Sequence, residues 1–134
     1  NNGSGRMLKS LRFGSNDVAR SRQFYDATFG AFGLPPSSMP AEYNMIGYAL
    51  PCGTRFLCGP TRDGEPATGA NGGTVIFEAP SVEVVKAWHA AGLANGGTSE
   101  GDPEPKPQAR GAFGAYLRDP DGNKIAAFHG LSFG

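Results

Sequence analysis

The sequence predicts a single α+β domain built from two similar halves. At 134 residues and 39% hydrophobic content, the chain is long enough for one hydrophobic core and short for two. The order strand, helix, loop, two or three strands occurs twice, with a period of roughly 60 to 70 residues. We therefore expect one domain over 7–134, with a first module at about 7–60, a linker at about 61–73 and a second module at about 74–130.

The first half reads as strand, helix and hairpin. Residues 8–15 alternate loosely between apolar and polar side chains, which is typical of a short strand. Asp17 can then cap a helix that Gly30 and Gly33 end. A hairpin over 47–59 follows, with its turn at Pro51-Cys52-Gly53. The apolar face of the predicted helix consists of Val18, Phe24, Tyr25 and Phe29.

The second half repeats this order. Residues 74–77 predict a short strand, and Ser81 can cap a helix ended by Gly92 or by the glycine pair at 96–97. The proline-rich segment 102–107 is predicted to be an exposed, mobile loop. A hairpin over 115–128 closes the half. The helix presents Val84, Val85, Trp88 and Ala91 on one face.

The turn of that last hairpin is the sharpest local signal. It reads Asp-Pro-Asp-Gly-Asn at 119–123, in which Pro120 fixes φ and Gly122 tolerates a positive φ. Gly53 of the first half aligns with Gly122, so that Leu57 aligns with Ala126 on the strand after each turn. The turn therefore sets the register in which the last strands of the two halves are compared.

Composition narrows the partners and the location. Twelve basic and twelve acidic residues cancel, so nucleic acid and anionic membranes are not expected as partners. No run of 18 apolar residues and no signal-peptide pattern is present, so we expect a cytoplasmic protein. Cys52 and Cys58 are then expected as free thiols, although they could face each other across the first hairpin. Residues 1–6 precede the first methionine and read as a remnant of expression.

Three segments in this order resemble the vicinal oxygen chelate superfamily, which includes glyoxalase I, bleomycin-resistance proteins and extradiol dioxygenases. They are 17–25 at the first helix, 77–81 at the second, and 119–125 before the last strand. The resemblance covers about 8–130 and implies two βαβββ modules, whose curved mixed sheets surround a cavity with the helices outside. It also implies a homodimer. It does not identify a reaction, because the superfamily contains isomerases, dioxygenases, thiol transferases and pure binding proteins.

The resemblance further implies a divalent ion held by the first and last strands of both modules. Transferred by spacing, its ligand positions fall on Ser10, Leu57, Thr74 and Ala126. Leu57 and Ala126 have no donor atoms, and neutral hydroxyls are poor ligands. We therefore expect no metal and no other cofactor. The alternative is a relocated metal site, for which the candidate donors are Cys58, Glu78, His89 and His129.

Alternation along the strands predicts which side chains would line the implied cavity. The predicted ligand-binding residues are Ser10, Arg12, Arg55, Leu57, Thr74, Ile76, Lys124, Ala126 and Phe128, with Gly14 on the same face. Tyr116, near the end of a strand, is added as a candidate hydrogen-bond donor or general acid. Three of the lining residues are cations, which favours a carboxylate, phosphate or phenolate group on the ligand. The alternatives are that Arg55 and Lys124 point into water, that Arg12 pairs with Glu78 or Asp17, and that Tyr116 packs with a solvated hydroxyl.

The function that the sequence predicts depends on this cavity lining. We expect a small-molecule binding protein or a metal-free enzyme; the alternative is a metal-dependent lyase, isomerase or dioxygenase with displaced ligands. A homodimeric scaffold without any ligand is the third possibility. The sequence contains no Gly-x-Ser-x-Gly motif and no phosphate-cradling glycine loop. Whether a reaction is catalysed is left open.

Overall fold

The computed structural model describes residues 7–133. The expected expression remnant at 1–6 lies outside these residues. The described chain has seven strands and two α-helices, and two short 3-10 turns lie at Ala41–Tyr43 and Pro107–Ala109. In chain order the elements are β1 (Ser10–Gly14), α1 (Val18–Gly30), β2 (Ile46–Ala49), β3 (Arg55–Gly59), β4 (Val75–Glu78), α2 (Val82–Ala94), β5 (Thr98–Pro105), β6 (Phe113–Arg118) and β7 (Lys124–His129). The α+β class is confirmed.

The strands form two mixed sheets, one in each half of the chain. Their orders are β1-β3-β2 and β4-β7-β6-β5. In both sheets the first strand pairs parallel with the last, and the remaining pairs are antiparallel. This shared topology confirms the two-module arrangement that the repeat predicted.

The first sheet has three strands, whereas the resemblance implied four. The segment after α1 runs beside β2 without joining it as a strand, and Pro35, Pro36 and Pro40 in this segment cannot donate ladder hydrogen bonds. Side chains hold it instead: Arg22 donates to the carbonyl of Ser37 at 3.3 Å, and the Ser37 hydroxyl accepts the Gly47 amide at 3.0 Å. The edge of the first sheet is therefore irregular.

Both helices begin where the sequence predicted. The Asp17 carboxylate accepts the Arg20 amide at 3.2 Å, and the Ser81 hydroxyl accepts the Val84 amide at 3.2 Å. Each cap satisfies one of the amides that the first turn leaves without an intrahelical partner. The helices pack on one face of their sheets and against each other. They leave the opposite face of each sheet without a helix.

One core joins the two halves. It is built largely from aromatic side chains, and the Phe29 ring lies 5.2 Å from Phe56 of β3 and 5.3 Å from Phe77 of β4. These edge-to-face contacts connect α1 to both sheets. The largest fully buried side chains are Trp88, Tyr25, Phe24, Phe56 and Phe128. Neither sheet therefore has a core of its own.

The turn at 119–123 attaches the second module to the first. The buried Asp119 carboxylate accepts the Tyr25 hydroxyl of α1 at 2.6 Å. Its neighbour Asp121 accepts the Asn16 amide at 2.9 Å and the Ser21 hydroxyl at 3.1 Å, both at the start of the same helix. The turn predicted from local sequence is confirmed, and its carboxylates connect the modules.

Two structural findings concern the helices and the cysteines on which the expected location depends. Each helix has 13 residues, and no helix in the described chain is long and apolar enough to cross a membrane. Cys58 is buried in β3, whereas Cys52 is exposed in the turn after β2, and no disulfide joins them.

Candidate functional site

The helix-free face of the first sheet carries the residues that alternation predicted. In the register of β1 and β3, Ser10 lies opposite Arg55 and Arg12 lies opposite Leu57. Phe56 and Cys58, which alternate with Arg55 and Leu57 along β3, point into the core and are fully buried. The predicted side of each strand is therefore the side away from α1.

The second sheet shows the same alternation. Ile76 of β4 and Tyr116 of β6 are both register partners of Ala126, which lies between them on β7. Ala126 is itself fully buried. The Phe128 ring lies 5.6 Å from Tyr116, edge to face, and fills the space that a side chain at Gly114 would need. These rings form the floor of a cleft.

Four of the predicted residues line one cavity of about 610 Å³ on this face. They are Thr74, Ile76, Tyr116 and Lys124. The opposite wall comes from β5 and the residues after it, and it includes Glu100, Gly101, Glu104, Lys106 and Gln108. We call this cavity the polar chamber.

A second cavity of about 320 Å³ adjoins the first, because Ile76, Gln108 and Tyr116 line both. Its other walls are Phe128, the turn at 109–110 and the C-terminal residues 131–133. We call it the apolar chamber, and the two chambers together the cleft. Phe128 is the fifth predicted residue that the cleft brings together.

The wall formed by β5 was missed by the sequence analysis. The predicted mobile loop at 102–107 is wrong: β5 continues to Pro105, and Lys106 is only 5% exposed. The strand is irregular, with register shifts between Ser99 and Gly101 and between Gly101 and Glu104. Proline is tolerated there because β5 is an edge strand, where one row of amides has no ladder partner. The available signal was the alternation of acidic residues at 100, 102 and 104 before Lys106.

The first sheet's residues do not reach the cleft. Arg12 lines a separate groove with Gly14 and linker residues, and its guanidinium donates to the Pro60 carbonyl at 2.6 Å. The pairs considered for Arg12 are not formed, since Asp17 caps α1 and Glu78 accepts the Gly130 amide. Ser10 and Arg55 are exposed. Leu57 lies next to Met39 in the space above Gly47.

The charges of the polar chamber are unevenly paired. The Lys106 ammonium lies 2.9 Å from Glu104 and also donates to the Asp102 carbonyl at 2.7 Å. Arg118 lies 3.3 Å from Glu100. Lys124 lies over the Tyr116 ring, 5.1 Å from its centroid, and makes no salt bridge with any described residue. Lys124 is therefore the cation of this chamber that has no ion pair with a described carboxylate.

The residues at the implied metal positions do not fit a divalent ion. Leu57 and Ala126 supply no lone pair, and Ser10 and Thr74 supply only neutral hydroxyls. Among residues 7–133, no group of three or more His, Cys, Asp or Glu side chains is arranged to hold a metal. Cys58 is fully buried in the core and does not line the cleft, and burial raises the pKa of its thiol to about 12.

The two histidines are engaged elsewhere. The His89 ring lies 2.9 Å from the Ser99 hydroxyl of β5, and burial lowers the pKa of His89. The His129 ring lies 3.0 Å from the Ala79 carbonyl. Neither histidine lines the cleft. A relocated site built from these donors therefore has no support in their positions.

Comparison with known proteins agrees with this architecture. The sequence model of the Glyoxalase/Bleomycin resistance protein/Dioxygenase superfamily matches residues 8–127. A glyoxalase/bleomycin resistance protein from Albidiferax ferrireducens T118 is 42% identical, with 92% of this chain and 98% of that chain covered and a TM-score of 0.83.

More distant structures share the fold alone. Lactoylglutathione lyase from Agrobacterium tumefaciens is 20% identical, with 98% of each chain covered and a TM-score of 0.66. A glyoxalase/dioxygenase from Nostoc punctiforme is 17% identical, with 96% of this chain and 94% of that chain covered and a TM-score of 0.66. No curated protein matches the sequence. The chain belongs to the Glyoxalase/Bleomycin resistance protein/Dioxygenase superfamily.

Proposed function

We propose that this chain is a small-molecule binding protein, or an enzyme that works without a metal, whose ligand lies in the cleft of the second sheet and presents an anionic group to Lys124. The observation that carries the proposal is the combination of an open cleft with one cation that forms no ion pair with a described carboxylate. A partly buried ammonium favours an anionic partner, because burial removes part of its hydration.

The donor chemistry supports the metal-free form of this proposal. The alternative, a metal-dependent lyase, isomerase or dioxygenase with displaced ligands, needs three or four donors that converge on one point. Leu57 and Ala126 provide none, and the histidines lie away from the cleft. We therefore favour binding, or catalysis by protein groups alone, for this member of the superfamily.

The proposal extends to partners and location. We propose a homodimer, because Arg12 and Lys124 line different cavities in one chain and a second copy could bring the two faces together. Light scattering coupled to size-exclusion chromatography would give a monomer mass if this part is wrong.

We also propose a cytoplasmic protein without nucleic-acid partners, supported by the balanced charge and by two cysteines that form no disulfide.

The test is a thermal-shift screen of carboxylates, phosphate esters and phenolates, repeated with Lys124→Gln. A ligand at one hundred times its dissociation constant stabilises the fold by about 2.7 kcal/mol, which is readily measured. We expect a shift with wild-type protein, a much smaller one with Lys124→Gln, and no change with the control Lys9→Gln, whose side chain is exposed and outside the cleft. Binding that vanishes with a chelator and returns with one divalent ion would establish the metal-dependent alternative instead.

A further inference from the structure

We infer that the cleft is built for an amphiphilic monocarboxylate, with its carboxylate at Lys124 and its apolar ring or chain in the apolar chamber against the C-terminal residues 131–133. This inference rests on the proposed function and narrows it to one chemical class. It depends on three features: the charge balance in the polar chamber, the lining of the apolar chamber, and the residues that the chambers share.

The charge balance favours a single negative charge. Glu100 and Glu104 line the same chamber as Lys124, and each already has its own cation. A ligand carboxylate would meet one cation that has no ion pair with a described carboxylate. A second negative charge on the ligand would find no further unpaired cation among the residues that line this chamber, and it would lie near two glutamates. The chamber therefore discriminates against a phosphate dianion.

The lining of the apolar chamber favours a hydrocarbon group. Ile76, Phe128, Leu131 and Phe133 contribute its apolar walls. Arg110 borders the chamber too, but it already has an interaction of its own. The volume of about 320 Å³ exceeds the roughly 150 Å³ in which an apolar protein cavity accommodates benzene. A phenyl ring or a short alkyl chain fits within it.

The shared residues join the two chambers into one binding surface. Ile76, Gln108 and Tyr116 line both chambers, so one molecule can reach from Lys124 to the C-terminal residues. Two apolar side chains that line the apolar chamber are unusually exposed for their type, Ile76 at 42% and Phe133 at 87%. Covering them with a ligand's hydrocarbon group is favourable in proportion to the apolar area removed from water.

Isothermal titration at pH 8 with a graded ligand series tests the inference. The probes are acetate, butanoate, hexanoate and 3-phenylpropanoate, with hexan-1-ol as the neutral analogue and phenyl phosphate as the dianion. We expect affinity to rise by up to about fourfold for each buried methylene. We also expect hexanoate to bind more tightly than hexan-1-ol, and 3-phenylpropanoate more tightly than phenyl phosphate.

Variants assign each half of the ligand to its chamber. Phe133→Ser should flatten the dependence on chain length without weakening acetate, and because Phe133 is exposed this change does not threaten folding. Lys124→Gln should abolish the preference of hexanoate over hexan-1-ol. Leu93→Ser, at a residue 47% exposed on α2 and outside the cleft, is the matched control and should change neither.

The outcomes separate this inference from the proposed function. If carboxylates bind through Lys124 with an affinity independent of tail length, or if phenyl phosphate binds as tightly as 3-phenylpropanoate, the amphiphile inference is overturned and the proposed function stands. If no anion in the series or in the wider screen binds, both fail. If Phe133→Ser and the Leu93→Ser control affect chain-length dependence equally, the apolar chamber is not the tail site.

Discussion

Replacing Asp119 by Asn should destabilise the protein far more than an ordinary isosteric change. One carboxylate oxygen accepts the Tyr25 hydroxyl at 2.6 Å and the Asn123 side-chain amide at 2.9 Å. The other accepts the backbone amides of Asp121 at 3.0 Å and Asn123 at 2.9 Å. All four donors point at a group that is only 3% exposed. Either orientation of the Asn amide would place its NH₂ against two of these donors.

The magnitude follows from those two mismatched donors. Each buried polar group left unsatisfied costs about 1 to 3 kcal/mol, and relief of the buried charge offsets part of that cost. We expect Asp119→Asn to lower the free energy of unfolding by about 3 kcal/mol, a large share of the roughly 5 to 15 kcal/mol typical of a domain. Tyr25→Phe removes a single donor and should cost about 1.5 kcal/mol.

Urea denaturation at pH 7, followed by circular dichroism, measures both variants. Asp63→Asn is the control, because Asp63 lies in an exposed linker turn where its carboxylate accepts only the Glu65 amide. It should change stability by less than about 0.5 kcal/mol. The reasoning is refuted if Asp119→Asn is no more destabilising than Tyr25→Phe, or if it falls within the range of the control.

Three further predictions concern the same core. Burial raises the pKa of Asp119, so the folded chain binds a proton at this carboxylate more tightly than the unfolded chain does. The wild-type protein should therefore gain stability relative to Asp119→Asn as the pH falls from 7 toward about 4. A stability difference that stays constant with pH in urea titrations would contradict this. Gly92→Ala places a methyl group against Leu117 and should lower the free energy of unfolding by about 1 to 3 kcal/mol, despite the better helix propensity of alanine. Gly30 has open space around it, so Gly30→Ala should be neutral or stabilising in thermal melts. Iodoacetamide at pH 8 should alkylate Cys52 and spare Cys58, because Cys58 is buried and that burial raises its pKa to about 12. Equal labelling of the two cysteines in peptide mass spectra would show that β3 opens readily.

The sequence identified the elements that depend on local chemistry. Asp17 and Ser81 cap the two helices as predicted, and Gly53 and Gly122 both have positive φ in the turns that were aligned. The edge strands were harder to predict. β5 contains two prolines and two register shifts, and its pairing depends on β6 rather than on its own propensity. The number of strands in the first sheet was also hard to predict, because strand pairing depends on the neighbouring strand, and this sheet has three strands rather than four.

The candidate site was only partly accessible to sequence reasoning. Alternation could predict which side of a strand Arg12 and Lys124 occupy, because side-chain direction is a local property of a strand. It could not show that Arg12 and Lys124 line different cavities, because that depends on how the modules pack. Lys106 was missed for a related reason, since its burial comes from β6 and from Tyr116 beside it.

The position of β7 has a consequence for synthesis on the ribosome. It follows the other described strands in chain order, yet it lies inside the second sheet between β4 and β6. The turn that precedes it also supplies the carboxylates that receive hydrogen bonds from α1. We therefore expect nascent chains that end before this strand to remain protease-sensitive, with both halves maturing together once it leaves the exit tunnel.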